Sequence, residues 1–135
     1  MKTLGIVETA IYIDDLDAAE DFYQRILRLV VIAKEPERHV FFQVGIANVL
    51  LAFIPSTTLA GDKLPPHGAH GPGHFAIGID TQSLDVWRQH LEAEGIQIEK
   101  ALAWPLGGSS LYFRDPAGNS VELITPRVWG LPSGW

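Results

Sequence analysis

Hydrophobic and polar residues alternate with the period of a β-strand in several short stretches of the chain. This alternation predicts strands at residues 5–13, 29–34, 39–44 and 48–54, and again at 73–80, 96–101, 110–114 and 120–125. Two other stretches, 16–28 and 83–94, carry apolar residues at helical spacing. Asp14 or Asp15 can cap the first helix, and Gly95 can end the second. Each half therefore has the order strand, helix and three strands.

The two halves also resemble each other residue by residue. Residues 39–55 can be laid over residues 110–126 without a gap, with three identities in 17 positions. The identical pairs are Phe42 with Phe113, Asn48 with Asn119 and Pro55 with Pro126. The identities are few, but the shared element order favours an internal duplication. We predict an α+β fold in which two tandem βαβββ modules form a curved, mostly antiparallel, cup-shaped sheet with the helices outside.

A segment rich in Pro, Gly and polar residues separates the halves and predicts a linker. The predicted organisation is a single domain over residues 1–135. Its parts are module one at 5–55, a linker at 56–72, module two at 73–126 and a C-terminal tail at 127–135. The tail contains two Trp residues, which we expect to pack on a partner chain or to cover the mouth of the cup.

Three polar residues lie on the strand faces that should point away from the helices. Because side chains alternate across a strand, Glu8, His74 and Glu122 each lie opposite the apolar residues of their strands. Small residues share these faces and leave room for a ligand: Ala10, Ala76 and Gly78. The alternative to a ligand-binding role is that these are common surface residues. A carboxylate near a strand end is usually solvated, and a single histidine in a strand is usually exposed or hydrogen-bonded.

Glu122 is the most unusual of the three because it lies inside the apolar strand Val-Glu-Leu-Ile. A buried carboxylate without a partner costs on the order of several kcal/mol. A metal ion is one partner that would offset this cost, and Arg114 is another. The residues alone leave both possibilities open.

The same alternation places further side chains on the predicted cavity. They are Ser110, Tyr112 and Arg114 from the seventh strand, and His39, Phe41 and Gln43 from the third. His39 is a candidate general acid or base, since imidazole titrates near neutral pH; the alternative is a surface histidine. Arg114 could pair with Glu122, hold an anionic substrate group or form a structural ion pair.

Aromatic and linker residues offer a second set of candidates. Trp104 could form an apolar wall with Phe41 and Tyr112, or all three could be core aromatics. His67 and His70 lie in the linker, where they could close over the cavity or be plain loop residues. His90, on the second helix, is expected to face solvent.

Composition and charge exclude several classes of function. The net charge is −6 and no Lys/Arg cluster exists, so neither nucleic acid nor an anionic membrane is an expected partner. Cysteine is absent, which excludes disulfides and thiol chemistry by the chain itself. No apolar run approaches the length of a transmembrane span, and the first residues do not read as a signal peptide. A cytoplasmic location is compatible with these features.

Three stretches, 8–27, 73–80 and 107–126, resemble the vicinal oxygen chelate superfamily. This superfamily includes glyoxalase I, bleomycin-resistance proteins, fosfomycin-resistance thiol transferases, methylmalonyl-CoA epimerase and extradiol dioxygenases. The most specific stretch is 107–126, in which an aromatic-rich strand, Asp-Pro-x-Gly-Asn and a strand containing Glu-Leu follow one another. The resemblance covers about residues 5–126.

The resemblance implies a cup around one divalent metal held by Glu8, His74 and Glu122. A fourth ligand position corresponds to Leu51, which cannot bind metal, so the chain departs from the four-ligand pattern of glyoxalase I. A ligand set of one imidazole and two carboxylates suits Mn, Fe, Co, Ni, Zn or Mg. The open positions would admit a substrate with two neighbouring oxygens. Glu8 is thereby also a candidate catalytic residue, together with His39 and Arg114.

The predicted function is that of a metal-dependent lyase or isomerase of the glyoxalase or epimerase type. The alternatives are an extradiol-type dioxygenase and a non-catalytic drug- or metabolite-binding protein. Fosfomycin transfer is a narrower option: Ser110 and Tyr112 fit its pattern, but Ala10 lies where a Thr is expected. Related small members are commonly homodimers, so we predict a homodimer whose modules pair within one chain or are exchanged between chains.

Overall fold

The structure is a computed structural model that describes residues 3–60 and 66–135. Its elements are β1 (Glu8–Tyr12), α1 (Leu16–Arg25), β2 (Val30–Glu35), β3 (His39–Val44), β4 (Asn48–Phe53), α2 (Pro55–Leu59), β5 (His74–Gly78), a 3₁₀ turn (Thr81–Ser83), α3 (Leu84–Ala93), β6 (Lys100–Ala103), β7 (Ser109–Arg114) and β8 (Ser120–Ile124). The chain divides into two compact units, Met1–Gly73 and His74–Trp135.

Each unit contains one four-stranded mixed sheet, and the two sheets have the same topology. The strand orders are β1-β4-β3-β2 and β5-β8-β7-β6. The first strand of each unit runs parallel to the last, and the other neighbours are antiparallel. This arrangement confirms the predicted α+β fold of two βαβββ modules.

The strand registers agree with the gapless overlay of the two halves. In the first unit, Leu51 lies opposite Ala10 on one side and Phe41 on the other. In the second unit, Glu122 lies between Ala76 and Tyr112 in the same way. Leu51 and Glu122 therefore occupy equivalent positions, so the first unit carries an apolar residue where the second carries a carboxylate.

In the first unit, α1 covers the side of the sheet opposite Glu8. The helix begins at the Asp15 cap, whose Oδ1 accepts hydrogen bonds from the backbone N–H groups of Asp17 and Ala18 at 2.9 and 3.0 Å. Its buried stripe packs on the sheet, with the rings of Tyr23 and Phe42 5.1 Å apart. The Glu8 side is therefore free of this helix, as the alternation predicts.

A hydrogen-bonded turn joins β7 to β8. The buried Asp115 carboxylate accepts from the backbone N–H of Asn119 at 2.7 Å and from its side-chain amide at 2.9 Å. Gly118 in the same turn has φ +83°, a conformation that residues with a Cβ rarely adopt. The Asp-Pro-x-Gly-Asn motif therefore sets the path by which β8, and Glu122 with it, returns beside β7.

The structure differs from the predicted elements at several places, and β1 begins at Glu8 rather than at residue 5. The short helix α2 occupies the start of the predicted linker, because Pro55 is suited to the first position of a helix. Residues 61–65 of that linker lie outside the described residues. The sixth strand begins at Lys100 rather than at 96, because the N–H of Ile96 still bonds to the carbonyl of Leu91 in α3. The first helix ends at Arg25 rather than at 28. No helix in the described part of the chain has the length and hydropathy of a membrane span.

Candidate metal centre

His74 and Glu122 meet on one face of the second sheet. We call the side that carries His74, Ala76 and Glu122 the His74 face. His74 Nε2 lies 3.4 Å from Glu122 Oε2, and the side chain of Glu122 is only 6% exposed, against 52% for His74. The pleat brings them together because His74 is two residues before Ala76, the residue that pairs with Glu122.

The hydrogen bonding of the His74 imidazole determines which of its nitrogen atoms carries a proton and which presents a lone pair to Glu122. His74 Nδ1 lies 3.1 Å from the carbonyl oxygen of Ser120. A carbonyl only accepts, so Nδ1 donates its proton there, and in the neutral ring Nε2 presents its lone pair to the carboxylate. Two lone-pair atoms facing each other repel unless a cation, either a proton or a metal ion, lies between them.

The second oxygen of Glu122 strengthens this case. Glu122 Oε1 is buried and has no hydrogen-bond partner among the described residues. A buried acceptor left unpaired costs about 1–3 kcal/mol, and more when it is charged. A bound cation would satisfy both this oxygen and the lone pair of His74.

The donor atoms and their surroundings fit a divalent metal. Metal bonds of about 2.0–2.2 Å to nitrogen and oxygen put two ligand atoms roughly 3.0–3.4 Å apart, which the observed separation matches. Metal-bound histidines usually donate their other N–H to a carbonyl or carboxylate, as His74 does to Ser120. The second unit, all of whose residues are described, adds no third His, Asp or Glu to this pair.

Tyr112, Ser110 and Trp104 lie around the pair on the His74 face. Tyr112 is opposite Glu122 in the sheet, and its ring is 6.1 Å from that of His74. Burial raises the pKa of the Tyr112 hydroxyl, and the adjacent Glu122 carboxylate raises it further. Ser110 is fully buried and accepts a hydrogen bond of 2.8 Å from Trp104 Nε1. The structure thus brings together five of the predicted site residues.

Arg114 is held away from Glu122 by a different partner. Its Nε donates to both carboxylate oxygens of Glu99 at 3.0 Å, and its Nη1 donates to the carbonyl of Gly118 at 3.0 Å. Of the alternatives that the sequence left open, the structure shows the plain ion pair. A catalytic role for Arg114 stays a prediction.

Glu8 belongs to the first unit, where it opens β1. It pairs in register with Val49, and this is the position that His74 occupies relative to Ser120 in the second unit. Its side chain is exposed. Glu8 as the third ligand stays a prediction.

The first unit carries an aromatic cluster on the side that bears Glu8. The ring of His39 stacks on Phe41 with centroids 4.0 Å apart and meets Phe53 edge-on at 5.7 Å. Gln43 is exposed and donates to the carbonyl of Gly45 at 2.9 Å. His39 is therefore not the freely solvated surface histidine that the sequence also allowed.

His67 of the predicted linker packs onto the same cluster, and His70 is exposed. His67 Nδ1 is hydrogen-bonded to the Tyr12 hydroxyl at 3.0 Å, and its ring lies edge-on to Phe53 at 4.7 Å. Tyr12 was not singled out as a site residue from the sequence, although alternation already placed it on the same face as Glu8. His90, expected to face solvent, is half-buried against Trp87.

The environment of His39 predicts a pH dependence of stability. Burial lowers the pKa of His39, and the Arg38 cation lowers it further, while Glu35 opposes both. Arg38 Nη1 lies 3.3 Å from His39 Nδ1 and Glu35 Oε2 lies 3.6 Å from it, and the rings of Phe41 and Phe53 also contact the imidazole. The unfolded chain therefore takes up this proton first as the pH falls below about 6.5, and the folded state loses stability.

We expect His39→Gln to flatten this part of the pH profile. Urea unfolding at pH 7.5 and pH 5.5 should show a smaller loss of unfolding free energy in the variant than in the wild type. His70→Gln, which removes an exposed imidazole, is the matched control. An unchanged profile in His39→Gln would contradict the prediction.

The chain is similar to known proteins in sequence. A family model described as the glyoxalase/bleomycin resistance protein/dioxygenase superfamily matches residues 5–123. A metallothiol transferase, FosB of Bacillus licheniformis, is 26% identical over 129 residues, which cover 95% of this chain and 79% of that protein.

Solved structures extend the comparison. The crystal structure of a lactoylglutathione lyase from Agrobacterium tumefaciens has a TM-score of 0.92 and 42% identity, covering 97% of this chain and 100% of that one. A glyoxalase/bleomycin resistance protein/dioxygenase from Nocardioides, at 20% identity and a TM-score of 0.74, covers 98% and 89% and shares the fold. With the family model matching nearly the whole βαβββ repeat, the chain belongs to the glyoxalase/bleomycin resistance protein/dioxygenase superfamily.

Proposed function

We propose that this chain is a divalent-metal-dependent lyase or isomerase of the glyoxalase or epimerase type. Its substrate would be a small molecule that chelates the metal through two neighbouring oxygens. The observation that carries the proposal is the convergence of His74 Nε2 and the buried Glu122 carboxylate, one oxygen of which finds no hydrogen-bond partner in the described part of the chain. A bound cation would satisfy Glu122 Oε1 and the lone pair of His74 Nε2.

His74 and Glu122 would hold the metal, with Glu8 as the proposed third ligand. A bound divalent ion would act as a Lewis acid that stabilises negative charge on a substrate oxygen. The chain's own residues would position the substrate and handle protons. Tyr112 keeps its proton at neutral pH, because a tyrosine hydroxyl ordinarily titrates near about 10 and burial raises its pKa further, so it can donate a hydrogen bond beside Glu122.

His39 is the proposed general base. Burial and Arg38 lower its pKa, so the ring is neutral at physiological pH and able to accept a proton. Phe41 stacks on this ring and limits its rotation. Phe41, Gln43, Trp104, Ser110 and Tyr112 remain the proposed substrate-binding residues.

The relatives favour a thiol as the first co-substrate to test. One relative is named for lactoylglutathione, a derivative of the thiol glutathione, and the other is named a metallothiol transferase. Thiol transfer is therefore the second candidate function, supported by a relative that matches 95% of the chain. Leu51 argues against the four-ligand arrangement of glyoxalase I, because an isobutyl side chain has no donor atom.

Assembly is part of the same proposal. The first unit leaves large apolar side chains exposed, including Leu4, Ile6, Val7 and Ile46. Exposed apolar groups of this size favour association, which supports the proposed homodimer. The proposal does not depend on whether modules are exchanged between chains.

The test begins with metal analysis of protein purified without chelator. We expect close to one divalent ion per site, and turnover of methylglyoxal with a thiol in the presence of Mn²⁺, Co²⁺, Ni²⁺ or Zn²⁺. Thiol consumption with an electrophilic acceptor but not with methylglyoxal would favour the transferase. Ring cleavage of catechol with Fe²⁺ and O₂ would favour the dioxygenase. Protein that takes up no metal would contradict the enzymatic proposal and favour a binding protein.

A further inference from the structure

Gly78 at the end of β5 lies directly beneath the indole of Trp135. A Cβ placed on Gly78 would overlap with Cη2 of Trp135 and would be 2.8 Å from Cζ2. No side chain larger than hydrogen fits there while the ring is in place. Gly78 follows His74 and Ala76 at alternate positions, so the ring lies on the His74 face.

The segment that carries Trp135 folds back on itself to place this ring. The N–H of Gly134 donates to the carbonyl of Leu131 at 2.9 Å, and the N–H of Arg127 donates to the carbonyl of Gly134. Trp135 is 36% exposed, whereas Trp129 in the same segment is 70% exposed. One indole is therefore docked on the sheet with part of its surface left open, and the other is not docked.

A second indole, that of Trp104, lies near the other end of the row of residues that begins at Gly78 and crosses the sheet. Gly78, Ile124 and Ser110 are direct neighbours across three strands, and Trp104 is bonded to Ser110. This row lies next to the row of Ala76, Glu122 and Tyr112, two residues or about 7 Å along the strands. Both indoles therefore lie along the row of residues next to the one that contains Glu122.

The first unit covers its corresponding row in a different way. Tyr12 holds the position in β1 that Gly78 holds in β5, opposite Phe53 rather than Ile124. There the strand supplies its own aromatic side chain. In the second unit, Gly78 leaves space for the indole of Trp135, which comes from a distant part of the chain. Both units therefore have an aromatic side chain at this position of the sheet.

We propose that Trp135, together with Trp104, forms an aromatic wall that selects substrates with a flat apolar group next to their metal-chelating oxygens. The proposal rests on the proposed metal site and names the substrate class that this site would take. Indole rings gain most from flat partners in offset or edge-to-face contact. Trp135 acts as a specificity-determining residue, and Gly78 positions it.

Two chelating probes with the same head group test the wall. Benzohydroxamate carries a phenyl ring beside its two oxygens, and acetohydroxamate carries a methyl group. We expect the full-length wild type, titrated calorimetrically with Zn²⁺ present and absent, to prefer benzohydroxamate. Trp135→Ala and Gly78→Ala should each reduce this preference about fivefold, while acetohydroxamate binding stays within about twofold. Trp135→Phe should retain most of the preference.

Trp129→Ala is the matched control, since it removes an exposed indole from the same segment; its preference should equal that of the wild type. An equal loss of affinity for both probes in Trp135→Ala, or no loss, would contradict the proposed aromatic wall. So would a wild type without preference for the phenyl probe, with or without metal. Metal content measured on the same samples tests the proposed function separately. The ratio of the affinities for the two hydroxamates in the absence of Zn²⁺ still measures the contribution of the indole.

Discussion

Glu122→Gln is expected to lower the affinity for divalent metal by at least about a hundredfold and to stabilise the metal-free protein. The loss exceeds what removal of an outer partner of a metal ligand typically costs, which is about 10–100-fold, because Glu122 would contact the ion itself. In the metal-free state, the amide replaces a buried carboxylate, one oxygen of which has no hydrogen-bond partner in residues 3–60 and 66–135. It can also donate to the lone pair of His74 Nε2, 3.4 Å away from the present oxygen. We expect a gain of about 1 kcal/mol.

Urea unfolding with and without metal measures both effects. At a metal concentration of about a hundred times Kd, the wild type should gain roughly 2.7 kcal/mol, and the variant should gain little. Glu99→Gln is the matched control, because it removes a carboxylate paired with Arg114 on the exposed edge of the same sheet. That control should bind metal as the wild type does and change stability by less than about 1 kcal/mol. Unaltered metal affinity in Glu122→Gln would contradict the assignment of the site.

Asp115→Ala is expected to destabilise the fold by about 3 kcal/mol. The carboxylate is 4% exposed and accepts two hydrogen bonds from Asn119, which is itself 1% exposed. Removing it leaves buried donors without their acceptor, and hydrogen bonds to charged groups are each worth about 1.5–3 kcal/mol. Because this turn leads into β8, loss of the turn should also weaken metal binding.

Chemical denaturation of Asp115→Ala measures this cost. Asp80→Ala is the matched control, since Asp80 is exposed and its side chain makes no capping hydrogen bond to the turn that follows it. Asp115→Asn, which keeps one acceptor oxygen, should lie between the wild type and Asp115→Ala. Equal stability of Asp115→Ala and Asp80→Ala would show that the turn does not depend on the buried carboxylate.

Most of the secondary structure could be predicted from the sequence because it follows from local periodicity. The third strand, His39–Val44, is predicted to the residue, and the other strands agree except at their ends. Strand ends depend on the neighbouring strand, which the pattern of one segment does not contain. The sixth strand shows this, since its observed start at Lys100 is where pairing with Tyr112 begins.

The partners of charged residues were less predictable than their faces. The alternation of side chains placed Arg114 on the same face as His74 and Glu122, and either Glu122 or a substrate was a reasonable partner for it. The structure pairs it with Glu99, just before β6, because the antiparallel pairing of β6 with β7 brings that carboxylate alongside. A long flexible side chain reaches several partners, and only the strand register decides between them.

The sequence by itself determined which side chains share a face: the two-residue period of a strand puts His74 and Glu122 on the side away from the apolar core, and the internal repeat puts Leu51 at the position equivalent to Glu122. The tertiary structure alone decided which distant residues meet on that face. The seating of Trp135 on Gly78 is the clearest case, because it depends on how residues 127–135 fold back over β5. Local periodicity carries no information about such contacts. They form between residues far apart in the sequence, and their geometry depends on which side chain fits the available space.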